Sequence, residues 1–208
     1  KTMKRVLIGL TLLMFLQGCT LFGIRNYEIL SYNVLIEEGN FQVRQYQDYV
    51  VAAATTEGSY EDNTDEGHDL LFDYISGENA GKQKIAMTAP VIQKSEGKKI
   101  AMTAPVLQKK SGSKWTMSFV LPSDYTVENA PQPLDSRVVI QKTTGKKVAV
   151  ITYNGGLGEE SITENTSKLM EWVNQKGFTV IEPSYSAGYD PPWTLPWLKR
   201  NEILVEIN

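Results

Sequence analysis

Two amphipathic helical patterns, each entered through strand-like runs and left through others, constrain this 208-residue chain more than any other feature. Phe41-Gln42-Val43-Arg44-Gln45-Tyr46 alternates apolar and polar residues as a half-buried strand does, and 50–56 is a second, more fully apolar strand. Asn63 can then cap a helix, with Glu66 as its capping-box partner and Asp62 and Asp65 favourably placed at the positive end of the dipole. Leu70, Leu71, Tyr74 and Ile75 recur at helical spacing, and Gly77 supplies a stop. Strands are expected around 85–93, 100–108 and 115–121. The second half replays this order. Strands at 138–141 and 148–153 lead to a Ser161/Glu164 capping pattern and a helix with Ile162, Leu169, Met170 and Val173 on its apolar side. Gly177 ends that helix, and strands near 184–187 and 203–207 close the chain. Two β-β-α-β-β units about 100 residues apart point to an internal duplication, with hairpin-like spacing that favours an antiparallel α+β sheet.

Composition supports a folded body, with 41% hydrophobic and 22% charged residues. One cysteine and one histidine leave no intramolecular disulfide and no zinc site built from His and Cys. The net charge of −3 gives no reason to expect a nucleic-acid partner, which calls for a basic face.

The N-terminal stretch stands apart. Lys1, Lys4 and Arg5 precede an apolar run over 6–16, too short to span a bilayer and suited to the hydrophobic region of an export signal. Leu16-Gln17-Gly18-Cys19 resembles the bacterial lipobox, which implies cleavage before Cys19 and lipid, palmitate included, on its thiol and new amino group. The plainer alternative is a signal without lipidation, or a short anchor with a chance cysteine. The expected organisation is a signal peptide over 1–18, a lipidated tether over 19–28 and one domain over 29–208. Thr20, rather than Asp, after the cysteine points to the outer membrane facing the periplasm. Beyond position 18 there are 18 basic and 24 acidic residues, an excess that does not attract anionic lipid, so the acyl chains must do the anchoring.

A direct repeat lies between the first helix and the middle of the chain. Lys84-Ile85-Ala86-Met87-Thr88-Ala89-Pro90-Val91 returns as Lys99-Ile100-Ala101-Met102-Thr103-Ala104-Pro105-Val106. Met87 and Met102 are either core filler in a duplicated hairpin or adaptable walls of an apolar pocket. No nucleophile elbow, phosphate loop, HExxH or dinucleotide fingerprint occurs, and no catalytic residue is assigned. His68, on one side of the first helix with Phe72, is either a surface histidine beside Asp65 and Glu66 or the rim of an apolar pocket.

From about Tyr27 onward the chain resembles the SOUL/heme-binding protein family. The resemblance rests on the 41–46 strand, Tyr74-Ile75-Ser76-Gly77, both Met-Thr-Ala-Pro-Val segments and Ser118-Phe119-Val120-Leu121-Pro122-Ser123. It is sharpest at Ala187-Gly188-Tyr189-Asp190-Pro191-Pro192-Trp193 and Arg200-Asn201-Glu202. It implies a distorted antiparallel β-barrel made from a duplicated β-α-β-β unit and flanked by two helices. It also implies heme or another tetrapyrrole in a shallow apolar groove along the first helix, where the family's pocket positions match His68 and Phe72. Leu71, Ile75, Met87 and Met102 complete the candidate lining, and His68 is the candidate heme-iron ligand. Animal members place a proposed axial histidine where this chain has Gln45, a poor iron ligand. Asp65 stands where others offer a basic residue to the propionates. The expected role is a non-enzymatic, lipid-anchored envelope protein that buffers or transfers its tetrapyrrole. A barrel binding a non-heme effector or a protein partner is the alternative, because the same architecture resembles bacterial effector-binding domains.

Overall fold

The computed structural model describes residues 27–96, 114–191 and 193–208. Cys19, Met102, the second repeat copy and the strand expected over 100–108 lie outside the described residues. The elements are β1 (Glu28–Ile29), β2 (Tyr32–Glu38), β3 (Phe41–Tyr46), β4 (Tyr49–Glu57), α1 (Tyr60–Ser76), β5 (Thr88–Ala89), β6 (Val91–Glu96), β7 (Lys114–Val120), β8 (Val138–Thr143), β9 (Lys147–Tyr153), α2 (Glu159–Gln175), β10 (Tyr185–Gly188) and β11 (Asn201–Glu206), with a single 3-10 turn at Pro196–Leu198. Nine strands form one curled antiparallel sheet, a half-barrel, in the order β2-β3-β9-β11-β10-β6-β7-β4-β8.

That order makes the duplication visible. The first unit is β3-β4-α1-β6-β7 and the second is β8-β9-α2-β10-β11. Reading outward from the central β6/β10 pair, each side runs through its own last strand and its own second strand to the first strand of the other unit, with β2 added beyond β3. β3 pairs with β9, and β8 pairs with β4. Exchange of the first strands ties the halves into one sheet.

Alternation along each strand divides the core. On the helix face, Leu71, Tyr74 and Ile75 of α1 pack on Ala52, Ala54, Met117, Phe119 and Val138, while Leu169, Trp172 and Val173 of α2 pack on Val43, Ala149, Ile151, Ile203 and Val205. The opposite face carries Tyr46, Val148, Val150, Ala187, Tyr189 and Leu204. It is closed by β1 and β5, a short parallel pair that brings Ile29, Leu30 and Ala89 onto it. β1 takes in Glu28, and the Tyr27 hydroxyl donates to the Tyr189 carbonyl. Gly77 (φ +121°) and Gly177 (φ +75°) turn the chain out of the two helices in the left-handed region, the reason for glycine at both stops.

Several boundaries differ from expectation. α1 begins at Tyr60, so Asn63 stands inside its first turn rather than at the cap. α2 begins at Glu159 after an extended Gly158 with no side-chain cap, leaving Ser161 and Glu164 within the helix; Glu159 and Glu160 meet the positive dipole end instead. Pro90, with no N–H for a ladder, divides the 85–93 run into β5 and β6, which belong to different sheets. β2 covers β3 as an edge strand, and no alternation announced it. Among the described residues no helix is long and apolar enough to cross a membrane.

Candidate functional site

The site predicted along the first helix begins with a close approach. Gly67 is buried, and a Cβ there would lie 3.2 Å from Met117 Cβ, so the missing side chain lets α1 settle onto β7. One residue on, His68 emerges at the margin of the contact. Its ring meets the buried Phe119 edge-on at 5.7 Å and 70°, and it stacks on Phe72 at 5.9 Å and 10°. The imidazole is 41% exposed and its Nδ1 lies 3.8 Å from Asp69 Oδ1. Phe72 is about half exposed. The two rings form an open aromatic shelf of one nitrogen-bearing ring and one apolar plate. Thr64, one turn before His68, accepts a 3.0 Å hydrogen bond from the Gln93 side chain of β6. Val91 pairs with Phe119 and Gly188 in turn pairs with Val91, so the residue under His68 lies two strands from Gly188.

The other candidates part from this pair. Leu71 (fully buried) and Ile75 belong to the core under α1, supporting the shelf from below. Met87 is exposed on the segment entering β5. Gln45 lies on β3 opposite Lys147, in the half covered by α2, and donates to the Tyr46 carbonyl. A ligand at that position would serve a different part of the surface. Asp65 and Asp69 are exposed beside His68 and give the shelf an acidic border. Among the described residues no group of three or more His, Cys, Asp or Glu side chains is placed to hold a metal ion.

Two cavities lie elsewhere. One of about 370 Å³ runs along the other edge of α1 and is lined by Leu70, Tyr74, Leu134 and Val138 with Asp73 and Asp135. The second, about 420 Å³, lies at the mouth of the sheet between β1, β4 and the chain leaving β7, with Leu30, Val50, Leu121 and Tyr125 as walls and Glu28 and Asp48 among its polar groups.

Sequence reasoning missed the densest polar cluster. Arg44 and Glu202, 1% and 0% exposed, form a two-pronged ion pair at 2.8 and 2.9 Å. Glu202 also accepts from Tyr189 (2.7 Å), Thr152 (3.2 Å) and Arg200 (2.5 and 3.0 Å). The Arg44 guanidinium lies 4.1 Å over the Tyr32 ring, and that of Arg200 4.2 Å over Tyr189. Burial alone would raise the Glu202 pKa, but the Arg44 fork and Arg200 outweigh it and hold the carboxyl below its ordinary value. Burial pushes Tyr46, which accepts from Arg44, up to about 12. Two guanidiniums share the one Glu202 carboxylate, so the cluster fastens β3 to β11 across β9 with one positive charge in excess, Arg200 being the more exposed of the two arginines at 22%. The 41–46 strand and Arg200-Asn201-Glu202 carry the family resemblance, but nothing in the sequence joins Arg44 to Glu202.

Residues 27–206 match the SOUL heme-binding protein family model. The chain belongs to this family. It is 28% identical over 167 residues to human heme-binding protein 2, covering 79% of this chain and 76% of that one. The mouse protein of that name is 27% identical over 179 residues, covering 82% and 83%. Among solved structures, the EcmrR C-terminal domain superposes with a TM-score of 0.60 at 12% identity over 85% of this chain and 98% of its own. An uncharacterized conserved protein from Listeria innocua gives 0.56 at 12% identity, over 81% and 92%. At these identities the two structures speak for the fold alone. The half-barrel with two flanking helices therefore serves SOUL members and proteins far from them in sequence.

Proposed function

We propose that this protein binds heme or a related tetrapyrrole on the His68–Phe72 shelf of α1. Membership of the SOUL heme-binding family carries the reading, and the accessible, ring-stacked imidazole supports this choice of location. The residues fit a flat metal-bearing ring in part. His68 offers an imidazole nitrogen, the common protein ligand to heme iron, and Phe72 offers a face for stacking. Bound iron would supply the affinity that an open surface lacks. Asp65 and Asp69 do not favour propionates, and no enclosing cavity adds area. A ring burying a few hundred Å² gains several kcal/mol at about 25 cal/mol per Å². Affinity is then modest and exchange easy, as suits buffering or handover. A lipid at Cys19 would hold the domain in the bacterial envelope, at the outer membrane; the Gly18-Cys19 junction after an apolar run supports this part.

Hemin titration of the full chain, followed by the Soret band, tests the binding. A shifted band that weakens in His68→Ala is expected. The absence of any shift in the parent chain overturns the heme reading, while an unchanged shift in the variant overturns only ligation by His68. The cavity of about 420 Å³ between β1 and β4 favours one other reading, a small amphipathic effector held between apolar walls and carboxylates. A thermal-shift series with iron-free porphyrins and apolar cations separates the two.

A further inference from the structure

Trp193 and Trp197 are the two most solvent-exposed aromatic side chains of the described residues, at 62% and 67%. They stand in the Pro-rich loop between β10 and β11, whose ends are held firmly. Tyr189 is buried, Arg200 N–H donates to Asp190 at 2.6 Å, and Gly155 N–H donates to the Pro196 carbonyl at 3.0 Å. A fixed loop that exposes two indoles is costly to keep in water unless something covers them.

The position of Tyr27 points to the cover. Its hydroxyl bonds to the Tyr189 carbonyl, which sets it beside the root of this loop. Only eight residue steps separate Tyr27 from Cys19, at most about 28 Å when fully extended. A lipid on Cys19 therefore keeps the Trp loop within a short reach of the bilayer surface. Indoles favour that surface, where an apolar ring and an N–H can both be satisfied. We propose that Trp193 and Trp197 form a foot that docks in the headgroup region of a lipid bilayer and fixes the orientation of the domain. This rests on the anchoring proposed above. Asp190 offsets Lys199, and Arg200 is turned onto the Glu202 carboxylate that it shares with Arg44, so the foot has at most one positive charge in excess and does not require anionic lipid. Gly188, at the root of the loop, is two strands from Phe119, the residue under His68. The docked end is then also the end of the sheet that carries the shelf, so a lipid-soluble ring could pass between membrane and protein over a short path.

The test uses the full chain expressed in bacteria, with the mass at Cys19 recorded, added from detergent to phosphatidylcholine vesicles and recovered by flotation. Bromine carried near the glycerol end of the acyl chains should quench roughly half of the tryptophan emission, since two of the four tryptophans lie in the foot. The emission left in Trp193→Ala/Trp197→Ala should be insensitive to bromine. Protein that floats but is not quenched overturns the docking while the anchor stands. Protein that does not float overturns the anchor and takes the docking with it. Equal fractional quenching in parent and double variant assigns membrane contact to another surface and also overturns the proposal.

Discussion

α1 places Leu71, Tyr74 and Ile75 against the sheet; α2 places Leu169, Trp172 and Val173 there at identical spacing. Aligned on these contacts, Gly67, His68 and Phe72 of α1 correspond to Asn165, Thr166 and Met170 of α2. The sheet differs as well. Opposite α1 the sheet is closed by the small side chains Val51, Ala53 and Val120, whereas opposite α2 it holds the Arg44–Glu202 cluster. A single plan has been finished twice, with a buried charge network in one half and an exposed aromatic shelf in the other. The shared residues make the architecture, and the unshared ones carry the chemistry.

The charge network is where the largest effect is expected. Glu202→Gln leaves Arg44 buried without its counter-charge and should cost about 3–5 kcal/mol in a guanidinium denaturation. Replacing the buried pair, as Arg44→Met/Glu202→Leu, should cost less, because the fully buried Arg44 charge goes with its partner and only the partly exposed Arg200 loses its carboxylate. If the double replacement costs as much as the single one, the cluster matters for its shape rather than its charges. Because the Glu202 pKa is depressed in the folded protein, its contribution is complete above the ordinary carboxylate value of 4.5 and is lost as pH falls through the lower folded value. Thermal melts taken from pH 7 downward should therefore fall less steeply in Glu202→Gln than in the parent chain.

What the sequence disclosed follows from how local each signal is. The β3 strand, both glycine stops and the paired helix faces are written in neighbouring residues, and the repeated order of elements followed from them. Arg44 and Glu202 are 158 positions apart, and the alternation in 41–46 marks a half-buried strand without revealing that the side carrying Arg44 and Tyr46 is buried too. The β1–β5 pair and the curl of the sheet bury that side, and only tertiary structure can say so. The site was legible in part for the same reason. His68 and Phe72 are one turn apart on one helix and do stack, while Phe119, 51 residues later, supplies the edge contact that no spacing reveals.

The two buried leucines test whether the plan is truly shared. Leu71→Ala and Leu169→Ala each empty a fully buried position and should each cost about 2–5 kcal/mol, differing by no more than about 1 kcal/mol. A wide gap in denaturation midpoints would mean that one half stabilises the molecule and the other follows. A smaller change tests the division of chemistry. His68→Thr gives α1 the residue that α2 carries at the matching place. It should alter stability by no more than about 0.5 kcal/mol, since the side chain is partly exposed. Hemin affinity should fall about tenfold, or 1.4 kcal/mol. If stability falls instead, the imidazole on Phe119 is a packing element of the core.

The smallest effect sharpens the same contrast through charge alone. Asp65 is exposed one turn before His68 on α1 and shares the border of the shelf with Asp69. A dianionic porphyrin seated on His68 with its propionates toward the helix start would be repelled by Asp65 across solvent, a weak and screened interaction. Asp65→Lys removes the repulsion and supplies a cation in its place, so hemin affinity should rise by about threefold at low ionic strength, less than 1 kcal/mol. The gain should vanish in about 1 M salt, where the screening length is near 3 Å, while the His68-dependent part of the binding persists because a donor bond is not screened. A rise that survives high salt would indicate a direct contact to a propionate, and no rise at either salt would turn the propionates away from Asp65, toward the central strands.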